Sequence, residues 1–431
     1  MTNKWSKLSL VILAMLLVLT ACGSGAGTGN EGASESGGKA TGKQVTLTFW
    51  HHYSTASPEE KTLTGVLIPK FEAENPGIKV KAVAIPWEEL HKKLQIGGSG
   101  GDLPDVARLD IIWVPEFQKR GLLQPLDEKF SDFNDIAKGL LEGPLSTAKV
   151  GEHYYGLPLN TNTKVLFWNK EMLTQSGIDK APETAEEFFA DLAQIKAKYD
   201  KSWGYGEPAL QGWNILPWIW SNGGDVLSPD FTTADGFLNS QATIDIVTKL
   251  KAAYTSGQLA GFKPGDVPVT EGHAGGSYAM MAEGPWAVAQ FQSQFGDFTF
   301  EMASFPKGSA GSIQVLGGED LGIFSKDKQE EAWKFVKFMV SEAAQVEMGK
   351  IGQIPVNLDA MENNEIKAVA YYAPFLEQLK TAKARPPVDS WPQIDGVLSD
   401  TMSSIFMTDK DVKAELDAAV SKIDGLLKLN N

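Results

Sequence analysis

Tyr155-Gly156-Leu157-Pro158-Leu159-Asn160-Thr161-Asn162-Thr163-Lys164-Val165-Leu166-Phe167-Trp168-Asn169-Lys170 is the stretch on which the reading of the fold turns. Pro158 forbids a helix through its first half and biases Leu157 toward an extended backbone. From Thr163 onward, β-branched and aromatic residues predict a strand. Between these halves stand four short polar side chains, Asn160-Thr161-Asn162-Thr163. A strand that opens with four hydrogen-bonding groups and then turns apolar is expected to leave a wet cleft and enter a core.

Upstream, residues 44–50 alternate as a strand. Ser57 is placed to cap a helix, with Pro58 at its first position and Glu59 and Glu60 near the positive end. Pro69 should kink or divide that helix, and Asn75-Pro76-Gly77 should end it. Residues 78–83 read as the next strand. A helix over 87–96 follows, closed by Gly97-Gly98-Ser99-Gly100-Gly101, and a third strand over 104–110 ends on Asp110. This alternation is the βαβ rhythm of a parallel sheet.

Downstream the alternation resumes. Thr184 with Glu187 forms a capping box ahead of a helix whose Phe188, Leu192 and Ile195 share a stripe. Ser240 caps another, stopped by Gly257. Residues 315–324 look like a return strand interrupted by Gly317-Gly318-Glu319-Asp320. A helix is predicted over 329–348, and Val412, Leu416, Val420, Ile423 and Leu427 mark a final one. No internal repeat is evident.

The 431 residues, 42% hydrophobic and 22% charged, suffice for two α/β lobes. A formal net charge of -15 argues against nucleic acid or an anionic membrane surface as partner, since both need Lys/Arg patches. The only cysteine, Cys22, excludes an intramolecular disulfide. Lys4 and Lys7 precede an apolar run over 8–19 that is too short for a stable membrane anchor. Leu19-Thr20-Ala21-Cys22 then resembles the bacterial lipoprotein box. Residues 1–21 are thus expected to be a signal peptide and Cys22 a lipidated residue, holding the protein to the extracytoplasmic face of the cell membrane. Residues 23–43, with no apolar side chain larger than alanine, read as a flexible linker spanning roughly 25 Å.

The opening stretch resembles the segment by which type 1 extracellular solute-binding proteins cross between lobes. These are the sugar-capturing lipoproteins of bacterial ABC importers, the maltodextrin-binding proteins among them, and the resemblance covers nearly all of the chain after the leader. It implies a two-lobed periplasmic-binding-protein fold of type II. Each lobe would be a mostly parallel sheet flanked by helices, joined by a multi-strand hinge. Crossings fall near Asn160, near Gly318-Glu319 and near Tyr371-Tyr372. The lobes are then 44–160 plus 319–371 and 161–318 plus 372–431. By the same resemblance the partners are an oligosaccharide and the permease and ATPase of an importer; a monomer without cofactor, metal or catalytic residue is expected.

A sugar ring presents a face of C–H groups and an equator of hydroxyls, so its site needs aromatic platforms beside planar polar groups. Trp50 ends the first strand, at the edge where a parallel sheet presents a ligand. In maltodextrin-type relatives three aromatics stack on successive rings; by position these match Trp213, ahead of Gly223-Gly224, Trp286, after Gly284-Pro285, and Trp391. Trp218 and Trp220 read as core, and Trp87, Trp113, Trp168, Trp203 and Trp333 as packing or rim residues. His52 and Ser54 lie in the first loop, where relatives place amide and acidic contacts. Asp110, Asn162 and Glu319 complete the candidates as hydrogen-bonding groups that discriminate between epimers. Three rivals stand beside this reading. A glycoside hydrolase would need a carboxyl pair at a set separation. A metal-binding lipoprotein would have to use His51-His52, which point to opposite faces of a strand. A binding protein for a polyol, phosphodiester or polyamine remains within the same fold.

Overall fold

The computed structural model describes residues 44–296 and 298–429. The expected signal peptide, Cys22 and the linker lie outside the described residues. Two five-stranded sheets carry the chain. The first contains β1 (Val45–His51), β2 (Ile78–Ala84), β3 (Val106–Asp110), β4 (Leu157–Asn162) and β10 (Gly317–Ile323), in the order β2-β1-β3-β10-β4. The second contains β5 (Val165–Trp168), β6 (Trp203–Gly206), β7 (Leu259–Ala260), β8 (Tyr278–Glu283) and β9 (Glu301–Ala303), in the order β9-β5-β8-β6-β7. One strand in each sheet opposes the rest: β10 pairs antiparallel with both neighbours, and so does β5. Both sheets are therefore mostly parallel, as the alternation of strands and helices predicts.

The opening stretch is the link between the sheets. β4 and β5 are separated only by Thr163 and Lys164, so one extended run leaves the first sheet and enters the second. It is strand from Leu157 onward, earlier than expected. Pro158 is tolerated because β4 lies at an edge of its sheet. The polar residues Asn160, Thr161 and Asn162 are buried within β4. The expected lobe changes at 160–161 and 318–319 fall inside first-sheet strands, which run to Asn162 and restart at Gly317.

Helices cover both faces of each sheet. Alternate β5 residues separate accordingly: Val165 and Phe167 join the core of Tyr278, Phe291 and Phe375, while Leu166 and Trp168 join that of Leu192, Tyr205 and Met280. Leu47 and Phe49 of β1 pack with Phe71, Trp333 and Phe335. The caps are as read: Ser57 accepts from the Glu60 amide, and Thr184 with Glu187 closes a capping box.

Four local expectations change. The helix over 87–96 runs on through the glycines to Gly100, and Gly101 caps it at φ 82°. Pro69 does not break its helix; a π-helical turn at Leu63–Leu67 precedes it, the wider turn absorbing the missing amide. Gly317 to Asp320 do not interrupt the return strand but begin it, the register shifting between Glu319 and Asp320. Ser341 divides the helix over 329–348 by capping a new one, Glu342–Gly349.

Candidate functional site

A cavity of about 460 Å³ lies where strand ends of both sheets converge. Open α/β sheets place ligands at the carboxyl ends of their strands. His52, Tyr53 and Ser54 follow β1, Asp110 ends β3 and Asn162 ends β4. Gln211 and Trp213 follow β6, and Trp286 follows β8. β10 runs the other way, so it is its beginning that reaches the same edge: Glu319 registers with Asp110 on one side and Asn160 on the other.

Trp213 and Trp286 form the aromatic part, their ring centroids 6.5 Å apart and their planes 28° from parallel. Arg385 Cζ and Lys164 Nζ stand 5.3 and 5.5 Å from the centroid of the Trp213 ring. Burial holds the Lys164 ammonium below the usual lysine range against the pull of Glu207 and Glu283, and it donates to Asn214 Oδ1 at 2.6 Å. Gly317 permits the close approach on which this arrangement depends: a Cβ there would lie 2.1 Å from Asn162 Oδ1 and 2.5 Å from the Trp213 ring.

The polar part is a set of ion pairs. Arg108 Nη2 lies 2.7 Å from Glu319 Oε2, and the guanidinium sits 4.2 Å over the Tyr53 ring. Burial pushes the Glu319 carboxyl up, but Arg108 and a hydrogen bond from His52 outweigh it and bring it down to about 2. His52 Nε2 stands 3.5 Å from Glu319 Oε1, and burial and Arg108 together keep the imidazole below its usual range, hence neutral at pH 7. Asp110 is more heavily engaged. Its Oδ1 accepts from the Ile112 amide at 3.2 Å and from Arg385 Nη2 at 2.8 Å, and its Oδ2 accepts from Trp87 Nε1 at 3.2 Å. Asp395 accepts from the Gly212 amide at 2.6 Å, at the start of the helix Gly212–Ser221. Among the described residues, no group of three or more His, Cys, Asp or Glu side chains could hold a metal ion.

Seven candidates read from the sequence meet at this cavity: His52, Ser54, Asp110, Asn162, Trp213, Trp286 and Glu319. Two do not. Trp50 is still within β1, where its side chain belongs to a face of the sheet; it packs against the core that includes Leu90 and Leu94. The loop after it supplies the cavity instead. Trp391 is 0% exposed, its ring lying beneath Gly212 as the first turn of the helix Trp391–Met407 packs inward. Trp87, read as packing or rim, lines the cavity half-buried and orients Asp110. Its signal was present, since it follows the carboxyl end of β2. Arg108 and Arg385 were missed outright. Arg385 meets Asp110 across 275 residues of sequence, and no local pattern reports such a pair.

The family profile described as bacterial extracellular solute-binding protein matches residues 56–346. The chain belongs to this family. Among its relatives, the diacetylchitobiose binding protein DasA of Streptomyces coelicolor is 24% identical over 404 residues, 89% of each chain. The sn-glycerol-3-phosphate-binding periplasmic protein UgpB of Shigella dysenteriae is 23% identical over 421 residues, 89% of this chain and 93% of that one. The GacH receptor of Streptomyces glaucescens, solved unliganded and with acarbose, superposes with a TM-score of 0.82 at 24% identity, over 90% of this chain and all of that one. The fold is thus the type II periplasmic-binding-protein fold that the sequence implies. The family is one of extracellular solute-binding proteins, and these two curated relatives are named as binding proteins, not as enzymes. Among the described residues, no helix is long and apolar enough to cross a membrane.

Proposed function

We propose that this solute-binding protein captures an oligosaccharide in the cavity between its two sheets and delivers it to the permease and ATPase of an ABC importer. The observation that carries the reading is the pair of near-parallel indoles, Trp213 and Trp286, facing a cavity whose lining also holds carboxylates, amides and guanidiniums. Flat apolar faces beside an equator of hydrogen-bonding groups match the two surfaces of a sugar ring. Relatives named for diacetylchitobiose and galactooligosaccharide, and a receptor solved with acarbose, support the same ligand class. His52, Ser54, Asn162 and Glu319 would supply the polar contacts, with Asp110 held too firmly by its three partners to do more than brace them.

The lobes would be 44–160 plus 319–371 and 161–318 plus 372–431, with the residues at the first two junctions remaining in first-sheet strands. Hinge bending at Thr163-Lys164 and at the segment before Gly317 would open and close the cavity. A ligand drives closure only through its higher affinity for the closed form. Catalysis is not part of the reading. Glu319, held near 2 by Arg108, does not serve as a general acid at neutral pH.

Titration with a panel of oligosaccharides while following intrinsic tryptophan fluorescence tests this. At least one neutral sugar should change the signal saturably. Silence across the panel, or the release of reducing ends from a bound sugar, would overturn the proposal. The anchor is proposed at Cys22, and Cys22→Ser should release the protein from the membrane fraction into the soluble one. A variant that stays with the membrane would contradict lipidation at that residue.

A further inference from the structure

We propose that the cavity selects uncharged sugars against phosphorylated or uronic ones, because the cations that face it are already held by carboxylates of the chain itself. The inference rests on the oligosaccharide reading and sharpens it. A cleft with two buried arginines looks at first like an anion site, since a guanidinium fork fits phosphate and carboxylate equally well. Here each guanidinium already faces a carboxylate through its Nη2. Arg108 is engaged with Glu319 at 2.7 Å and Arg385 with Asp110 at 2.8 Å, and both guanidiniums are buried, 4% and 5% exposed. Neither arginine can swing out to a ligand without leaving its partner carboxylate short of a countercharge.

One helix start at the cavity is engaged in the same way. The start of a helix offers unpaired amides and a positive dipole end. The helix Gly212–Ser221 begins at the cavity, but Asp395 accepts from its Gly212 amide at 2.6 Å. Lys164, beneath Trp213, is 1% exposed and donates to Asn214. The lining therefore sets four carboxyl groups, Glu59, Asp110, Glu319 and Asp395, against two guanidiniums, with His52 uncharged. Burial raises the carboxyl of Asp395, yet even with that proton retained the anions outnumber the cations. An incoming phosphate or carboxylate meets net negative charge where water is scarce, and like charges brought together there are costly. A neutral sugar hydroxyl, in contrast, can donate to Glu319 and accept from the Asn162 amide without displacing an ion pair.

Calorimetric titration of the wild-type protein with inorganic phosphate, sn-glycerol 3-phosphate and glucuronate, beside the neutral oligosaccharide panel, tests the charge rule directly. The anions should bind roughly 100-fold or more weakly than the best neutral sugar. A phosphate or uronate bound within tenfold of that sugar would overturn the inference. The double variant Asp110→Asn, Glu319→Gln frees both guanidiniums and should gain a measurable affinity for sn-glycerol 3-phosphate. A double variant that melts cooperatively yet ignores the phosphate would also count against it. If it does not fold, the wild-type titrations alone decide. Should no neutral sugar bind, the oligosaccharide reading fails by itself. The anion titrations then still report whether the guanidiniums are held, since detectable binding of any of the three anions to the wild type would show that they are not.

Discussion

Arg108→Met is expected to destabilise the protein by about 3–5 kcal/mol at pH 7, the usual consequence of removing one partner from a buried ion pair. Glu319 loses the guanidinium 2.7 Å away while its side chain stays 13% exposed, and Tyr53 loses the cation over its ring. The shape of the pH dependence identifies the cause. In the wild type the folded-state carboxyl of Glu319 lies near 2, below the usual glutamate value of 4.5. Its contribution is thus present in full above about 4.5 and lost as pH falls through 2. In the variant the same carboxyl is buried without its cation, so burial raises it, and protonation on acidification restores stability. The gap between the two proteins, read as the difference in urea midpoints, should narrow from pH 7 toward pH 4. A gap constant over that range would mean that the loss comes from packing at Tyr53 and not from a stranded charge. Adding Glu319→Gln to Arg108→Met should recover most of the loss at pH 7, because no buried charge is then left over.

The parts of this molecule that could be read from its sequence are those decided by neighbours in the chain. The Ser57 cap, the Thr184 and Glu187 capping box and the strand β1 needed only a few adjacent residues. So did the edge at which the site lies, since strand ends in a βαβ unit all point one way. Position at an edge, however, does not say which way a side chain leaves it. Trp50 and His52 are two residues apart, yet one packs against the core and the other lines the cavity, because β1 has ended between them. Trp391 fails for a related reason. At the first turn of its helix it could have faced either side, and only the packing of that helix beneath Gly212 decides for the interior. The arginines were the least legible. An isolated Arg carries no periodicity, and each acquires its meaning from a carboxylate that only the tertiary fold brings near, as Asp110 is brought to Arg385.

Trp286→Ala should weaken binding of the neutral sugar identified in the fluorescence titration by roughly 30- to 150-fold, about 2–3 kcal/mol, the range of a central aromatic anchor in a desolvated site. Trp286 is the better test of the two platforms. Truncating Trp213 also removes the ring that lies 5.3 Å from Arg385 and 5.5 Å from Lys164, so affinity and the setting of two buried cations would change together. Among the described residues, no such cation lies on the Trp286 ring. Its backbone is fixed from behind by Gly352, which at φ 105° admits no side chain: a Cβ there would lie 3.1 Å from Trp286 Cα. The ring itself is half-buried and turned toward the cavity, so its loss removes contact area for a ligand more than support for the fold. The variant should therefore melt within a few degrees of the wild type while its calorimetric affinity collapses. Trp391→Ala should do the reverse, since that ring is fully enclosed and does not line the cavity: a large core truncation costs about 3–5 kcal/mol of stability. If instead Trp286→Ala keeps its affinity and Trp391→Ala loses affinity while remaining folded, the sugar is held in some other place than this cavity, and the pairing of Trp213 with Trp286 is packing within one lobe and nothing more.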